Sequence, residues 1–528
     1  MEPQPMIGHS MDALQGILQS RNQSWDPRML QIGIDVMLIH AYDSLPSLPA
    51  YTTAPLSHAA AAASWVPDGV DRIAHLPDPI LRDIISRLPV KDAARTAVLA
   101  SRWRSLWRSA PLVLDDIHLL TGVATGPAGR PRIGDETPGL ADAVSRVLAT
   151  HPGPFRSVHL TCSAMEAHRG EVARWLDALA AKRVQELAFI NRPWPLDIRL
   201  PATLFRCASL TRLHLGVWKF PDTAAVPRSA AFPNLRELGL FFINMDERDL
   251  AFLLDRCPVL ETLTMILQIG VSLRLVSRTV RCLQLCMSKV DDVAVVDAPR
   301  LEMFLLFMSG MSKTSRIKIG RAPNLRVLGY LEPREHVLEI GNTVISAGTK
   351  ESPSTVVPSV KILALEVRFA VRKEVKKVPS FLRCFPNLET LHVKSATADE
   401  ATGKASLKLW KEGGPITCVL RHMKKVVFHE FQGLINEIVF LKFIAENARF
   451  LEKMVIVVAY ECYSSGEDVN SKLKPLTCAK WVGGTCKLQV FKSPFEGTTG
   501  GPVYDIRLAS EFSQIADPFD LIYYRESL

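Results

Sequence analysis

A short apolar phrase keeps returning in this chain, and it constrains the fold more than any other feature. An apolar residue is followed by two variable ones, an apolar residue, one variable residue and another apolar one. It reads VQELAF from Val184, LTRLHL from Leu210, LRELGL from Leu235, LETLTM from Leu260, VRCLQL from Val280, LEMFLL from Leu301, LRVLGY from Leu325, VKILAL from Val360 and LETLHV from Leu388. Successive starts lie 26, 25, 25, 20, 21, 24, 35 and 28 residues apart. One such unit is too small to bury its own apolar face, so the phrases must stack on one another to make a continuous core.

Several copies share a proline lead-in, as in CPVLETL, FPNLREL, APRLEMF, APNLRVL and FPNLETL. Proline there ends the preceding helix or turn just before the strand, and the small apolar residue ahead of it explains Cys257 as structure. Weaker copies, FRSVHL from Phe155, MKKVVF from Met423 and LEKMVI from Leu451, extend the array in both directions. Some connectors read as helices. DERDLAFLLDRC (Asp246 to Cys257) offers Asp246 as N-cap and Leu250, Leu253 and Leu254 as an apolar stripe, and INEIVFLKFIAENA (Ile435 to Ala448) is read as amphipathic. The period and the strand-plus-connector pattern predict an α/β fold. It is a leucine-rich-repeat solenoid, a curved parallel sheet with helices and irregular turns outside.

Composition narrows the function classes. With 48% hydrophobic and 22% charged residues, the 528-residue chain is rich enough in apolar side chains to fold over most of its length. The net charge of +9 would suit a nucleic acid only if it were concentrated. It is dispersed over Arg102, Arg104 and Arg108, over Arg372, Lys373, Lys376 and Lys377, and over Arg421, Lys424 and Lys425, and reads as solvated surface. The ten cysteines, Cys162 to Cys486, show neither CxxC pairs nor a histidine cluster, which fits reduced structural thiols. No secretory signal is read at the N-terminus, and MLQIGIDVMLIHAY (Met29 to Tyr42) is too short and too interrupted to cross a bilayer. The expected compartment is cytoplasm and/or nucleus.

Ahead of the array stands LPDPILRDIISRLPVKDAARTAVLASRWRSLW, Leu76 to Trp107. Asp78 is expected to cap a helix whose first position is Pro79, ended by Pro89, whose Ile80, Leu81, Ile84, Ile85 and Leu88 make one wide apolar face. A second helix begins near Asp92 with Ala93, Ala94, Val98 and Leu99, and a third carries Trp103, Leu106 and Trp107. Helices this short make too small a core to be stable unaided, which points to a partner.

This stretch resembles an F-box in its Leu-Pro start, its LPVKDAARTAVLA middle and its RWRSLW close, with Pro79 and the Ala100-Ser101 pair as mild variations. The region from about Ser352 to Val458 is similar to the FBD region of plant F-box/FBD/LRR-repeat proteins. Its marks are VPSFLRCFPNLETLHV, MKKVVFHEFQGLINEIVFLKFIAENARFLEKMVI and the later DPFDL, Asp517 to Leu521. The resemblance implies the substrate-recognition subunit of an SCF-type ubiquitin ligase, not itself an enzyme. Its F-box would dock on a Skp-type adaptor, and through it on cullin and RING subunits, while the repeats hold an unknown target protein; no cofactor, metal or membrane is implied. Carried over by motif position, Leu76, Pro77, Ile80, Leu81, Ile84, Leu88, Pro89, Val98, Leu99 and Trp103 would form or support the adaptor surface. Burial contributes roughly 1.5 to 3 kcal/mol for each such side chain, so a handful could carry the interface.

Target contacts are expected at the variable positions flanking the middle apolar residue of each strand, on the concave face: Arg212, His214, Glu237, Thr262, Thr264, Gln284, Thr390 and His392. His214 and His392 lie many repeats apart, which argues against a metal site. The expected organisation is an extension (1–69), the F-box (70–115), a linker (116–140), the repeats (141–350), the FBD-like region (351–463) and a C-terminal tail (464–528). No GxSxG, HExxH, phosphate-loop or dinucleotide motif is present, which argues against catalysis, and Cys462 and Cys486 have no activating neighbour in the sequence. Two alternatives stay open. One is a scaffold that binds the adaptor without degrading a target; the other, less favoured, is a basic nucleic-acid-binding protein.

Overall fold

Alternation with a period of two sends successive side chains to opposite faces of an extended chain, so the second half of each apolar phrase becomes a strand. The structure, a computed structural model, describes residues 41–42, 44–46, 72–73, 75–120, 137, 139–163, 165–192, 198–288, 290–307, 314–398, 402–403, 410, 414–463, 466–484, 486–494, 504, 506 and 517–520. Most of the expected 1–69 extension and of the glycine- and proline-rich linker lies outside the described residues. The chain divides into two compact units, one within residues 34–260 and one within residues 261–528.

The first unit opens with three short helices, α1 (Asp78–Arg87), α2 (Val90–Thr96) and α3 (Ser101–Ser109). They pack on one another and on β1 (Leu112–Asp115). Beside β1 run β2 (Phe155–Leu160), β3 (Glu186–Ile190), β4 (Arg212–Gly216) and β5 (Glu237–Phe241), each parallel to its neighbour. Register aligns the middle apolar residues, Val158, Leu187, Leu213 and Leu238, in one buried row. On the helical side, α4 (Leu140–Thr150) and α5 (Arg169–Ala181) pack together, with the Trp175 indole donating to Ser145 Oγ at 2.8 Å. The expected helix α6 (Glu247–Asp255) is capped as anticipated: Asp246 accepts from the Asp249 amide at 2.8 Å, and the Asp249 carboxylate accepts from the Asp246 amide at 3.2 Å.

In the second unit the main-sheet strands are β6 (Thr262–Ile266), β8 (Cys282–Cys286), β10 (Met303–Phe307), β12 (Val327–Leu331), β15 (Ile362–Val367), β16 (Thr390–Ser395), β17 (Lys425–Phe431), β18 (Lys453–Val458) and β19 (Lys487–Lys492), parallel and neighbours in that order. Leu263, Leu283, Phe304, Leu328, Leu363, Leu391, Val426 and Met454 form its buried row. From residue 273 to 344 the connectors are strands where helices or irregular turns were expected. β7 (Leu273–Val276), β9 (Asp292–Asp297), β11 (Ser315–Arg321), β13 (His336–Ile340) and β14 (Thr343–Val344) make a second sheet, parallel but for the β13/β14 pair. Their sequences alternate, as in LRLV with Leu273 and Leu275 buried and Arg274 and Val276 exposed, so the outer layer here is a half-buried sheet. Helices return with α7 (Arg372–Val375), α8 (Val378–Arg383), α9 (Thr417–Arg421), α10 (Ile435–Asn447) and α11 (Gly466–Thr477). The expected amphipathic helix, α10, is instead buried on more than one side, at Asn436, Glu437, Phe440, Leu441, Phe443, Ile444 and Ala445. Burial pushes the Glu437 carboxyl up to about 7, although the Leu434 amide donates to it at 2.8 Å. With α11 and β19, the array runs on beyond residue 463, where a tail was expected.

Four consecutive repeats turn out of the strand through a residue with positive φ that is not glycine: Val217 (60°), Phe242 (45°), Leu267 (53°) and Met287 (46°). This backbone is unfavourable for a side chain, but Val217, Leu267 and Met287 are buried, and their packing opposes the strain. Because the rows are continuous, truncation in the middle should be felt strongly. Leu363→Ala is expected to destabilise the chain by about 2 to 5 kcal/mol, measured by urea unfolding, whereas the exposed Val276→Ala should stay within about 0.5 kcal/mol.

Candidate functional site

The apolar residues of α1 divide into two sets. Leu81 and Ile85 are fully buried, as are Ala93 of α2 and Leu106 of α3, with Val90 of α2 nearly so, where the three helices pack together, while Ile80 and Ile84 are 48% and 38% exposed. The turn between α2 and α3 carries Val98 and Leu99, 85% and 68% exposed. The wide face expected from the sequence is therefore a core stripe beside an exposed one. Of the expected adaptor residues, Leu81 belongs to the core, Leu76, Leu88, Pro89 and Trp103 are half-buried, and Pro77, Ile80, Ile84, Val98 and Leu99 are exposed.

Asp78 does not cap α1, contrary to expectation. The N-cap is Pro77, and Asp78 instead receives Arg102 of α3. The Arg102 guanidinium donates to Asp78 Oδ1 at 2.6 and 2.9 Å and to the Leu76 carbonyl at 2.7 Å, tying the Leu-Pro start to the RWRSLW close. Nothing local in the sequence announces this pair. Both side chains are near half-exposed, so the contact fixes geometry more than it adds stability, at roughly 0 to 1 kcal/mol. At the other end of α3, Trp107 meets the His151 ring edge-on at 5.2 Å, and His151 Nε2 lies 3.2 Å from the Ala110 carbonyl. Burial, then the nearby Lys182 charge, holds the His151 imidazole below its usual pKa. Asp116, also buried, accepts from the Thr161 and Cys162 amides at 2.9 and 2.8 Å. These contacts join the helical segment firmly to the first strands.

Three of the expected target residues come together in the first unit. Arg212 Nε lies 3.1 Å from Glu237 Oε2, and His214 Nε2 lies 3.4 Å from Glu237 Oε1. Burial works to raise the Glu237 pKa, but His214 and Arg212 outweigh it and hold the carboxyl below the usual carboxylate range. A Cβ on Gly239 would stand 2.4 Å from His214 Cδ2, so glycine here makes the space the imidazole occupies. Arg212 is exposed, Glu237 half-buried and His214 buried.

The second unit does not present its expected face as open surface. Gln284 and His392 are fully buried, Thr262 and Thr264 are buried, and Thr390 is half-buried. The physical reason at Gln284 and His392 is the chain's own C-terminal part, which lies over them. Gln284 Nε2 donates to the Ile506 carbonyl at 3.2 Å, and Cys286 Sγ lies 3.2 Å from the Tyr504 hydroxyl. His392 Nε2 lies 3.0 Å from Asp517 Oδ2, and its Nδ1 is 3.4 Å from Nε2 of His429. Burial works to raise the Asp517 pKa, yet His392 and then Lys425 hold the carboxyl below its usual value. Burial, then the charges of His392 and Lys394, pushes His429 down to about 3. Contacts across more than a hundred residues leave no local signal, so sequence reasoning missed this cover.

Among the described residues no group of three or more His, Cys, Asp or Glu is placed to hold a metal ion. Burial pushes the thiols of Cys207, Cys257, Cys286, Cys384 and Cys418 up to about 12 and raises those of Cys462 and Cys486, the opposite of thiolate activation. No helix of the described residues is long and apolar enough to cross a membrane.

The two sets of apolar residues on the opening helices should separate in stability measurements. Leu81→Ala is expected to cost about 2 to 5 kcal/mol in the unfolding of the segment that holds α1 to α3, whereas Leu99→Ala should change it by no more than about 0.5 kcal/mol.

Comparison with known proteins agrees with this architecture. The family model for the F-box domain matches residues 73–115, the model described as FBD-associated F-box protein At5g56370, LRR repeats, matches residues 172–393, and the FBD model matches residues 411–456. The chain is 33% identical over 195 residues to F-box/LRR-repeat protein At3g26922 of Arabidopsis thaliana, a match covering 37% of this chain and 58% of that relative's length. It is 25% identical over 432 residues to F-box/LRR-repeat protein 13 of the same plant, covering 74% of this chain and 90% of the relative. With F-box/FBD/LRR-repeat protein At5g56420, also from Arabidopsis thaliana, it shares 23% identity over 445 residues, covering 79% and 98%. An F-box, leucine-rich repeats and an FBD thus follow one another in a single polypeptide, and the chain is similar over most of its length to plant F-box/LRR-repeat and F-box/FBD/LRR-repeat proteins.

Proposed function

We propose that the chain is the substrate-recognition subunit of an SCF-type ubiquitin ligase. In this reading the F-box docks on a Skp-type adaptor, which connects it to cullin and RING subunits, and the repeat and FBD regions recruit a target protein. The chain contributes binding and placement, and the ligase's other subunits contribute the chemistry. The observation that carries this reading is the division of the F-box residues. Leu81, Ile85, Ala93 and Leu106 already fill the core, and among the described residues nothing covers Ile80, Ile84, Val98 and Leu99, which stay exposed. Exposed apolar side chains gathered on one small domain are what a protein interface requires. The F-box arginines fit this reading better than nucleic-acid binding, since Arg87, Arg95 and Arg102 face Asp83, Asp92 and Asp78.

The full chain should therefore bind a purified Skp-type adaptor. Truncating two interface residues in Ile84→Ala/Leu99→Ala removes burial worth roughly 1.5 kcal/mol or more at each, so affinity should fall by about 100-fold or more with thermal stability unchanged. Unchanged affinity in this folded variant would refute the assignment of the face. Target turnover that persists with the cullin inactive would favour the scaffold alternative.

A further inference from the structure

We propose that Tyr330 of β12, His392 of β16 and Lys425 of β17 form a docking site for a short acidic–aromatic segment of the form Asp-x-Phe-Asp, which the chain's own residues 517–520 occupy and which a target bearing the same chemistry takes over. The site is built around one ring. Phe519 is fully buried, with Tyr330 edge-on at 5.2 Å, Tyr504 edge-on at 6.0 Å and the His392 ring at 5.5 Å. An acid stands on each side of it. Asp517 meets His392 Nε2 at 3.0 Å and Lys425 Nζ at 3.7 Å, and Asp520 meets Lys425 Nζ at 2.8 Å.

The segment also arrives preformed. The Phe519 amide donates to Asp517 Oδ1 at 3.2 Å and the Asp520 amide to the Asp517 carbonyl at 3.3 Å, closing a turn in which Pro518 restricts the backbone. That turn sets both carboxylates toward Lys425 and His392 while the ring goes inward. Recognition of 517–520 is thus by side chains of neighbouring strands, with an aromatic anchor in a pocket and the Lys425 ammonium and His392 imidazole beside the two acids, the arrangement by which interfaces concentrate specificity in few residues. His392, expected from the sequence to meet a target, meets an acid here, and the same chemistry defines the partner. A segment of the same chain competes with any free peptide for this site, so a free peptide binds poorly until the segment's own contacts are weakened.

The consequence for target recruitment rests on the receptor reading above, but the binding itself is measured with no adaptor present, so the two can fail separately. A fluorescein-labelled peptide of residues 515–522 is titrated against the full chain, against Asp517→Ala/Phe519→Ala, and against that variant with Lys425→Ala added. We expect the double variant to bind the peptide at least tenfold more tightly than the unaltered chain, and the added Lys425→Ala to reverse most of that gain. A folded double variant that does not bind the peptide would make 517–520 a fixed cap and overturn the proposal. Should the variant not fold, hydrogen exchange on the unaltered chain decides. The amides of Asp517, Phe519 and Asp520 should exchange much faster than those of β16 and faster still with excess unlabelled peptide, whereas protection equal to that of β16 would overturn it.

Discussion

Everything in this structure depends on the in-register stacking of one apolar residue per repeat. A strand of five or six residues has too little surface to hold itself together, and its leucine is buried only because the strands on either side supply their own at the same height. Leu391 is the clearest case, set between Leu363 and Val426 and fully buried. The same constraint leaves the connectors free to vary, and in this chain they are helices, irregular turns or a second sheet. What they share is the need to cover the other side of the row.

Stacking also frees the remaining positions for recognition, since the strand's variable residues do not hold the fold together. In the first unit these positions bring Arg212 and His214 together on the Glu237 carboxylate. In the second, His392 and Lys425 at such positions hold residues 517–520. The F-box achieves a comparable division within three short helices. Adjacent residues of α1, Ile80 and Leu81, point one to solvent and one to the core, so a single helical turn fills the core and still presents an apolar side chain outside.

Much of this was legible in the sequence. Each of the nine apolar phrases from Val184 to Leu388, and the three weaker copies, became a main-sheet strand, because period-two alternation survives whatever the connectors do. The Asp246 cap was legible because capping is local. The second sheet was not: Leu273–Val276 and its partners are short alternating segments, and only the strands beside them decide whether such a segment pairs. The two faces of α1 were not, since periodicity finds an apolar stripe without saying how much of it the molecule itself covers. The capping role given to Asp78 failed because Arg102, distant in sequence, competes for the same carboxylate. Gln284 and His392 were placed on the correct strands, but what lies over them comes from residues 506 and 517.

Among the described residues, the F-box leaves an apolar face of Ile80, Ile84, Val98 and Leu99 uncovered, and the proposed function stands on an adaptor covering it. A hydrogen-exchange footprint of a Skp-type adaptor on the full chain tests it most directly. The account expects new protection at residues 80–84 and 96–103, with the strands of both units unchanged. Protection confined to the repeats, or none at all at saturating adaptor, would contradict it.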